Sequence, residues 1–363
     1  MGDNLSIYAG ARARAFIEKN GLTPESIGVV TGAAGGPKWL VLGGLDRAIF
    51  FSWMKGRKDP LPVVGSSIGS WRFSAVALGE RAYDAFERAY IDQTYKTRPS
   101  PGDVTRESVK ILGSFLTEEN CSSLMEHPYL RLCIMSAYCG WPFSRQDLLS
   151  LAFGMISVSA LNALSRNMLK LFFSRAIFHD ARMFPPFKDV SDFPLQRIPI
   201  TRENLRDAIL ASGSIPLVME GVKDITGARP GIYRDGGVID YHINLAFDSD
   251  RIVLFPHYVN TIIPGWFDKF LSGRGPKLDN LENVVVLCPS EEFVARLPYA
   301  KIPTRKDFRG FRGRNEERIS YWEQVVSASE SLGEEFLALV EGDGILKRIK
   351  PISSLTVSPK PRT

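Results

Sequence analysis

The sequence predicts an α/β protein of three layers, with a mostly parallel sheet held between two layers of helices. Three observations lead there. Residues 27–30 (Ile-Gly-Val-Val) and the run Pro62-Val63-Val64 read as short buried strands. Each empties into a glycine-bearing turn and then a helix, giving a βαβα unit with both turns at the carboxyl ends of parallel strands, where such sheets bind ligands. Two further stretches, 251–255 and 283–287, read as buried strands of the same sheet.

Taken in order, residues 5–20 predict an amphipathic helix: Ile7, Tyr8, Ala11, Ala15 and Phe16 share a face, and Gly21 follows as a C-cap. After the first strand comes Thr31-Gly32-Ala33-Ala34-Gly35-Gly36-Pro37-Lys38, with Pro37 opening a helix through Leu40, Val41, Leu45 and Ile49 to about residue 54. Residues 55–60 turn into the strand before Ser67. The pattern changes over 94–187. Residues 148–164 carry no charge and, at about 17 residues, stand at the lower limit for a bilayer span. Ser150, Gly154, Ser157, Ser159 and Asn162 within them favour a buried helix, one able to line an acyl pocket. Thr201 is expected to N-cap a helix running to residue 210, followed by the small-residue turn Ala211-Ser212-Gly213-Ser214-Ile215-Pro216. Residues 231–238 read as a strand ending in an Asp-Gly turn at Asp235. Residues 319–341 form an amphipathic helix, and the last dozen residues a loose polar tail. The expectation is one domain over 1–363: core segments 26–100 and 190–290, a helical lid-like insertion at about 100–190, and a C-terminal helical extension at 300–345.

The 363 residues, 44% of them apolar and 23% charged, are ordinary for a soluble globular protein. A net charge of +5 permits contact with an anionic surface without arguing for nucleic acid, and no zinc-finger or RNA-binding signature is present. The four cysteines, Cys121, Cys133, Cys139 and Cys288, form no CxxC pair and suit a reducing compartment. Asp3, Arg12, Arg14 and Glu18 interrupt any apolar core of signal-peptide type, so a cytoplasmic protein is expected. Met1-Gly2-Asp3-Asn4-Leu5-Ser6 fits the minimal, short myristoylation pattern.

The turn after residue 64 is Gly65-Ser66-Ser67-Ile68-Gly69, a Gly-x-Ser-x-Gly elbow. A serine on so sharp a turn projects its hydroxyl past the sheet edge, and Gly65 and Gly69 let the backbone fold that tightly. The helix that follows aims its positive end at the point where an oxyanion would form. Gly35 and Gly36 offer backbone amides unobstructed by side chains, and Lys38 adds positive charge or holds the loop. The general base is less obvious. His127, His179, His242 and His257 sit in no recognised catalytic motif, whereas Asp235 ends a strand and is followed by two glycines. An aspartate takes a serine proton only through a direct hydrogen bond in a partly dry site; otherwise Asp-Gly-Gly is simply a turn.

Gly35-Gly36-Pro37-Lys38, Gly65-Ser66-Ser67-Ile68-Gly69, Ala211-Ser212-Gly213-Ser214-Ile215-Pro216 and Asp235-Gly236-Gly237 occur in this order. Together, across roughly residues 26–245, they resemble the patatin-like phospholipase family: its glycine-rich oxyanion loop, serine elbow, Ala-Ser-x-x-x-Pro segment and Asp-Gly-Gly/Ala turn. The resemblance implies a patatin-like three-layer α/β/α sandwich. It implies Ser67 as nucleophile and Asp235 as its partner in a dyad without histidine, with oxyanion donors at Gly35 and Gly36 and Lys38 as the basic residue after the glycines. It further implies hydrolysis of ester bonds in phospholipids and other acyl lipids, with no metal and no other cofactor in the chemical step. The sequence departs from the family at Trp39, where a further glycine is usual, and at Ala33 and Ala34, often Asp or Gly.

An acyl lipid is then the expected partner. Lys301, Arg305, Lys306, Arg309, Arg312 and Arg314, with Asp307 as the one acid and Phe308 and Phe311 interleaved, suit peripheral contact with an anionic membrane. The alternative for this stretch is a solvated basic loop with both phenylalanines turned inward. Two rival functions share the scaffold: an esterase with a Ser-Asp-His triad using His242 or His257, and a non-catalytic lipid-binding protein.

Overall fold

The computed structural model describes residues 3–96, 98–271, 273–342 and 344–355. The first two residues of the myristoylation pattern and residues 356–363 of the expected tail lie outside them.

The chain opens with a strand where a helix is expected. Leu5–Ala9 (β1) pairs antiparallel with residues 285–289, and only after Gly10 does helix α1 (Ala11–Asn20) begin. Leu5, Ile7, Tyr8 and Ala9 fit either period; sheet pairing decides, because it buries Leu5, Ile7 and Ala9 together. Strands β2 (Ile27–Gly32) and β3 (Leu61–Ser66) follow, then helices α2 (Ile68–Ala77), α3 (Glu80–Asp92) and α4 (Pro101–Phe115). Next come β4 (Leu130–Cys139), α5 (Leu148–Leu164), β5 (Phe173–His179), β6 (Leu195–Pro199) and α6 (Leu205–Gly213). Strands β7 (Val222–Lys223), β8 (Ile232–Asp235), β9 (Ile252–Pro256) and β10 (Val284–Pro289), helix α7 (Asn315–Glu341) and β11 (Ile349–Pro351) complete the set used below.

These strands form one sheet in the order β11-β1-β10-β9-β2-β3-β4-β5-β6, with β8 paired to β4 and to β7. Its centre, β10 to β4, is parallel. All six residues of β3 and of β10 are buried, as parallel strands covered on both faces require. The segment expected as a helical insertion contributes two sheet members, β4 and β5, besides α4 and α5. The apolar patterning of residues 130–139 was overshadowed in the sequence by the long uncharged run that follows.

Two other helices differ from expectation. The run after Pro37 is a tight helix (Gly36–Leu42), a short α-turn (Gly43–Asp46) and a wide π-turn (Arg47–Trp53). It deviates where it meets α7: the Gly44 N–H donates to Ser329 Oγ at 2.9 Å, and a Cβ on Gly44 would lie 2.2 Å from the Ser329 carbonyl oxygen. Helix α6 starts at Leu205, not after Thr201, because Asn204 turns its Oδ1 back onto the Thr201 N–H at 2.9 Å. In α5 the boundaries are as expected but the burial is not. Only Leu151, Gly154, Val158 and Asn162 are buried, on one stripe; Leu148, Phe153 and Ile156 face solvent, and Leu149 and Leu164 are each 82% exposed. Among the described residues no helix is long and apolar enough to cross a membrane.

The glycine contact between α7 and residues 43–44 is a testable constraint. A Cβ on Gly333 would lie 2.4 Å from the Gly44 carbonyl oxygen, so Gly333→Ala is expected to cost about 1–3 kcal/mol in urea unfolding. Gly310, with nothing within 4 Å of its would-be Cβ, is the control, expected to change stability by less than about 0.5 kcal/mol as alanine.

Candidate active site

Strand β3 ends at Ser66 and α2 begins at Ile68, leaving Ser67 alone at φ 55°, ψ −125°. Positive φ is strained for a residue with a side chain and persists only where its surroundings enforce it. Here the two elbow glycines do so by letting neighbours close in. A Cβ on Gly65 would lie 2.4 Å from the Ser70 nitrogen, and one on Gly69 would lie 2.1 Å from the Gly32 carbonyl oxygen.

Strand β4 brings Ser67 to Asp235. Strand β5 takes one edge of β4; along the other, β3 runs parallel with Met135 opposite Ser66, and β8 continues beyond it antiparallel with Ser136 opposite Asp235. Adjacent residues of one strand therefore mark the ends of both partners. The Ser67 hydroxyl donates to Asp235 Oδ2 at 2.6 Å, and both residues are buried. The Gly237 N–H donates to Asp235 Oδ1 at 2.7 Å. Burial pushes the Asp235 carboxyl up to about 6 against the lowering effects of the Ser67 hydrogen bond, the Arg305 charge and the Gly237 amide.

The stretch 211–216, expected as a turn, is the last three residues of α6 and the turn after them; it fixes both groups, a role the sequence reading did not assign. Ser212 Oγ accepts the Ser67 N–H at 2.9 Å and donates to the Met135 carbonyl at 2.6 Å. Two residues on, the Ser214 carbonyl accepts the Asp235 N–H at 3.0 Å. The Ala-Ser-x-x-x-Pro pattern marked the stretch without giving the serine a partner.

Gly36 lines one cavity with Ser67 and Gly35 lines another with it. Gly36 takes φ 56°, open to glycine at no steric cost, and a Cβ on Gly35 would lie 2.6 Å from the Tyr258 ring. The loop is held from behind: the Tyr258 hydroxyl donates to the Ala34 carbonyl at 2.5 Å, and the Lys38 ammonium sits 4.7 Å from the centre of the Tyr258 ring. Burial pulls Lys38 below its usual range. Burial also pushes the nearby Tyr241 phenol up, yet the charges of Lys38 and Lys269 prevail and bring it to about 8. Trp39, the main departure from the family pattern, is fully buried and stacks on Phe86 with ring centres 4.7 Å apart, so it packs the helix rather than narrowing the site.

Neither candidate histidine joins the pair. His242 hydrogen-bonds the Tyr258 hydroxyl at 2.8 Å, and His257 bonds the backbone of Val259. Burial drives His242 far down and His257 to about 3, which keeps both neutral.

Ser67 stands where two cavities meet. One, of about 570 Å³, is walled by Ile68, Trp71, Tyr90, Ile111, Val218 and Phe308 among others. The second, of about 320 Å³, holds Asp235, Gly35, Lys38, Tyr241, Trp266 and Lys269, and Met155 of α5 closes part of it. The basic stretch meets both. Phe308 and Phe311 turn inward onto Trp322 and Tyr321, Lys301 pairs with Asp307 at 2.7 Å, and Arg314 pairs with Glu317 at 2.9 Å. Arg305 lines both cavities, Lys306 the smaller, and Arg309 and Arg312 the larger.

The family model for patatin-like phospholipases matches residues 35–243, more than half of the chain and inclusive of the glycine loop, the elbow, Ser212 and Asp235. No curated protein matches the chain in sequence. The mostly parallel sheet flanked by helices is the patatin-like α/β/α sandwich, and a domain of this kind supports lipid acyl hydrolase activity in general. The chain belongs to the patatin-like phospholipase family.

Proposed function

We propose that this single-domain protein is a serine lipid acyl hydrolase that cleaves carboxylic ester bonds of phospholipids or related acyl lipids through a Ser67–Asp235 dyad. The observation that carries the reading is the buried 2.6 Å hydrogen bond from the Ser67 hydroxyl to Asp235 Oδ2 at the junction of two cavities. Asp235 takes the serine proton as Oγ bonds to the carbonyl carbon, and the carbonyl electron pair moves onto oxygen opposite the amides of Gly35 and Gly36. Collapse breaks the bond to the alcohol, which leaves with the proton from Asp235. Water then gives a proton to Asp235 as it attacks the acyl carbon, and Ser67 Oγ departs and regains that proton, releasing the fatty acid. A carboxyl raised to about 6 is a stronger base than an exposed aspartate and is still ionised at neutral pH.

Contact with a lipid surface is part of the same proposal. The exposed apolar side of α5 supports it, because Met155 of that helix reaches the smaller cavity while Leu149 and Ile156 face solvent. Exposed Arg309 and Arg312 add positive charge at the mouth of the larger cavity.

Ser67→Ala and Asp235→Asn are each expected to lower kcat/KM for nitrophenyl butyrate by at least about 10³-fold. A fluorophosphonate is expected to label the parent at the position lost in Ser67→Ala; a folded, vesicle-binding protein that takes no label would instead be a non-catalytic lipid binder. The pH profile of kcat/KM is expected to fall tenfold per pH unit below about 6, as Asp235 gains its proton. Stability has the opposite sign. The folded carboxyl near 6 holds a proton that the unfolded chain releases near ~3.9, so native stability declines as pH rises through that window, and the loss is complete by pH 7. Asp235→Asn is therefore expected to raise unfolding stability at pH 7 by about 1–3 kcal/mol, read by thermal or urea denaturation. Leu149→Glu with Ile156→Glu is expected to reduce co-sedimentation with anionic phospholipid vesicles severalfold.

A further inference from the structure

We propose that the two cavities divide the substrate by chemistry: the acyl chain enters the cavity of about 570 Å³, and the alcohol half, bearing an anionic group such as a phosphate, enters the cavity of about 320 Å³. The assignment rests on the ester-hydrolase reading above and adds the orientation and charge of the substrate.

Orientation follows from where the proton goes. Ser67 lines both cavities, whereas Asp235 lines only the smaller. The alcohol that departs during acylation takes its proton from Asp235, so its oxygen lies on the Asp235 side. The acyl carbon bonded to Ser67 Oγ then extends the other way. The inner wall it meets there is apolar, with Ile68, Trp71 and Ile111 all buried, while the cations of this cavity, Lys96, Arg305, Arg309 and Arg312, are all exposed. A hydrocarbon chain in that space loses its contact with water and gains packing.

Charge follows from the wall of the smaller cavity. Lys38, Lys269, Arg305 and Lys306 line it, and Asp235 is the single carboxylate among the described residues that do. Lys38 and Lys269 are half-buried, deep beside the oxyanion loop; Arg305 and Lys306 are exposed at the mouth. A phosphate drawn inward passes the outer pair and reaches the inner pair, where partial desolvation strengthens the attraction. A neutral alcohol such as glycerol has no charge with which to exploit either pair. Met155, Trp266 and Phe267 provide the remaining wall, against which the carbon skeleton of the alcohol packs.

The test uses two esters with the same decanoyl chain, one on glycerol 3-phosphate and one on glycerol, both below their aggregation concentrations. The parent protein is expected to favour the phosphate-bearing ester by about tenfold or more in kcat/KM, and the ratio is expected to shrink as salt rises. Lys269→Gln with Lys306→Gln is expected to bring the ratio close to one, and Lys269→Arg with Lys306→Arg to restore it. Ile111→Trp in the larger cavity is expected to shift preference from decanoyl to butyryl chains and leave the head-group ratio in place. Turnover of both esters without preference, or a ratio unmoved by salt and by the glutamine pair, overturns the charge assignment alone. Ile111→Trp changing the head-group ratio but not the chain-length preference overturns the orientation. Absence of any ester turnover together with absence of fluorophosphonate labelling overturns the hydrolase reading and this inference with it.

Discussion

The meeting of Ser67 and Asp235 depends on the register of two strands against a third. Strands β3 and β8 meet end to end along one edge of β4, whose other edge is taken by β5, and the neighbouring residues Met135 and Ser136 fix where each ends. A slip of one residue in either pairing would turn every side chain of that strand to the opposite face. The register is guarded by burial, since β3 and β8 are buried throughout. It is guarded also by Ser212, whose hydroxyl joins the Ser67 amide to the Met135 carbonyl across the same junction. The geometry of the Ser67–Asp235 pair is thus a property of the sheet before it is a property of any loop.

Dryness does the rest. An aspartate in water is too weak a base to help a serine hydroxyl, and a histidine ordinarily supplies the missing basicity. Here the sheet end excludes water from Asp235, and burial alone raises its carboxyl toward neutrality. The same burial disables the nearby imidazoles, which stay neutral and serve as struts behind Tyr258 and the glycine loop. One environment therefore raises the carboxyl and keeps the imidazoles neutral.

The parts of the site that announce themselves in sequence are those whose local backbone demands a rare residue. Gly65, Gly69, Gly36 and the Asp235-Gly236-Gly237 turn are of this kind, and their positions were legible along with the parallel core of the sheet. What stayed hidden is set by partners distant in the chain. Leu5–Ala9 is a strand only because residues 285–289 and 349–351 lie beside it. The sidedness of α5 cannot be read from a run that is apolar all round, since exposure is decided by what happens to pack against it. The motif that holds Ser212 does not say what its hydroxyl bonds, and Lys269 and Arg305 line one cavity with no motif to join them.

The pairing of β1 also bears on how the protein is made. Residues 5–9 form their hydrogen bonds with β10 and β11, both near the far end of the chain. During synthesis from the amino end this strand emerges well before its partners and waits, with Leu5 and Ile7 exposed, until residues 284–289 have followed. The outer edge of the sheet is accordingly the last part to close, and a nascent chain stalled before residue 284 keeps a sticky, half-finished border.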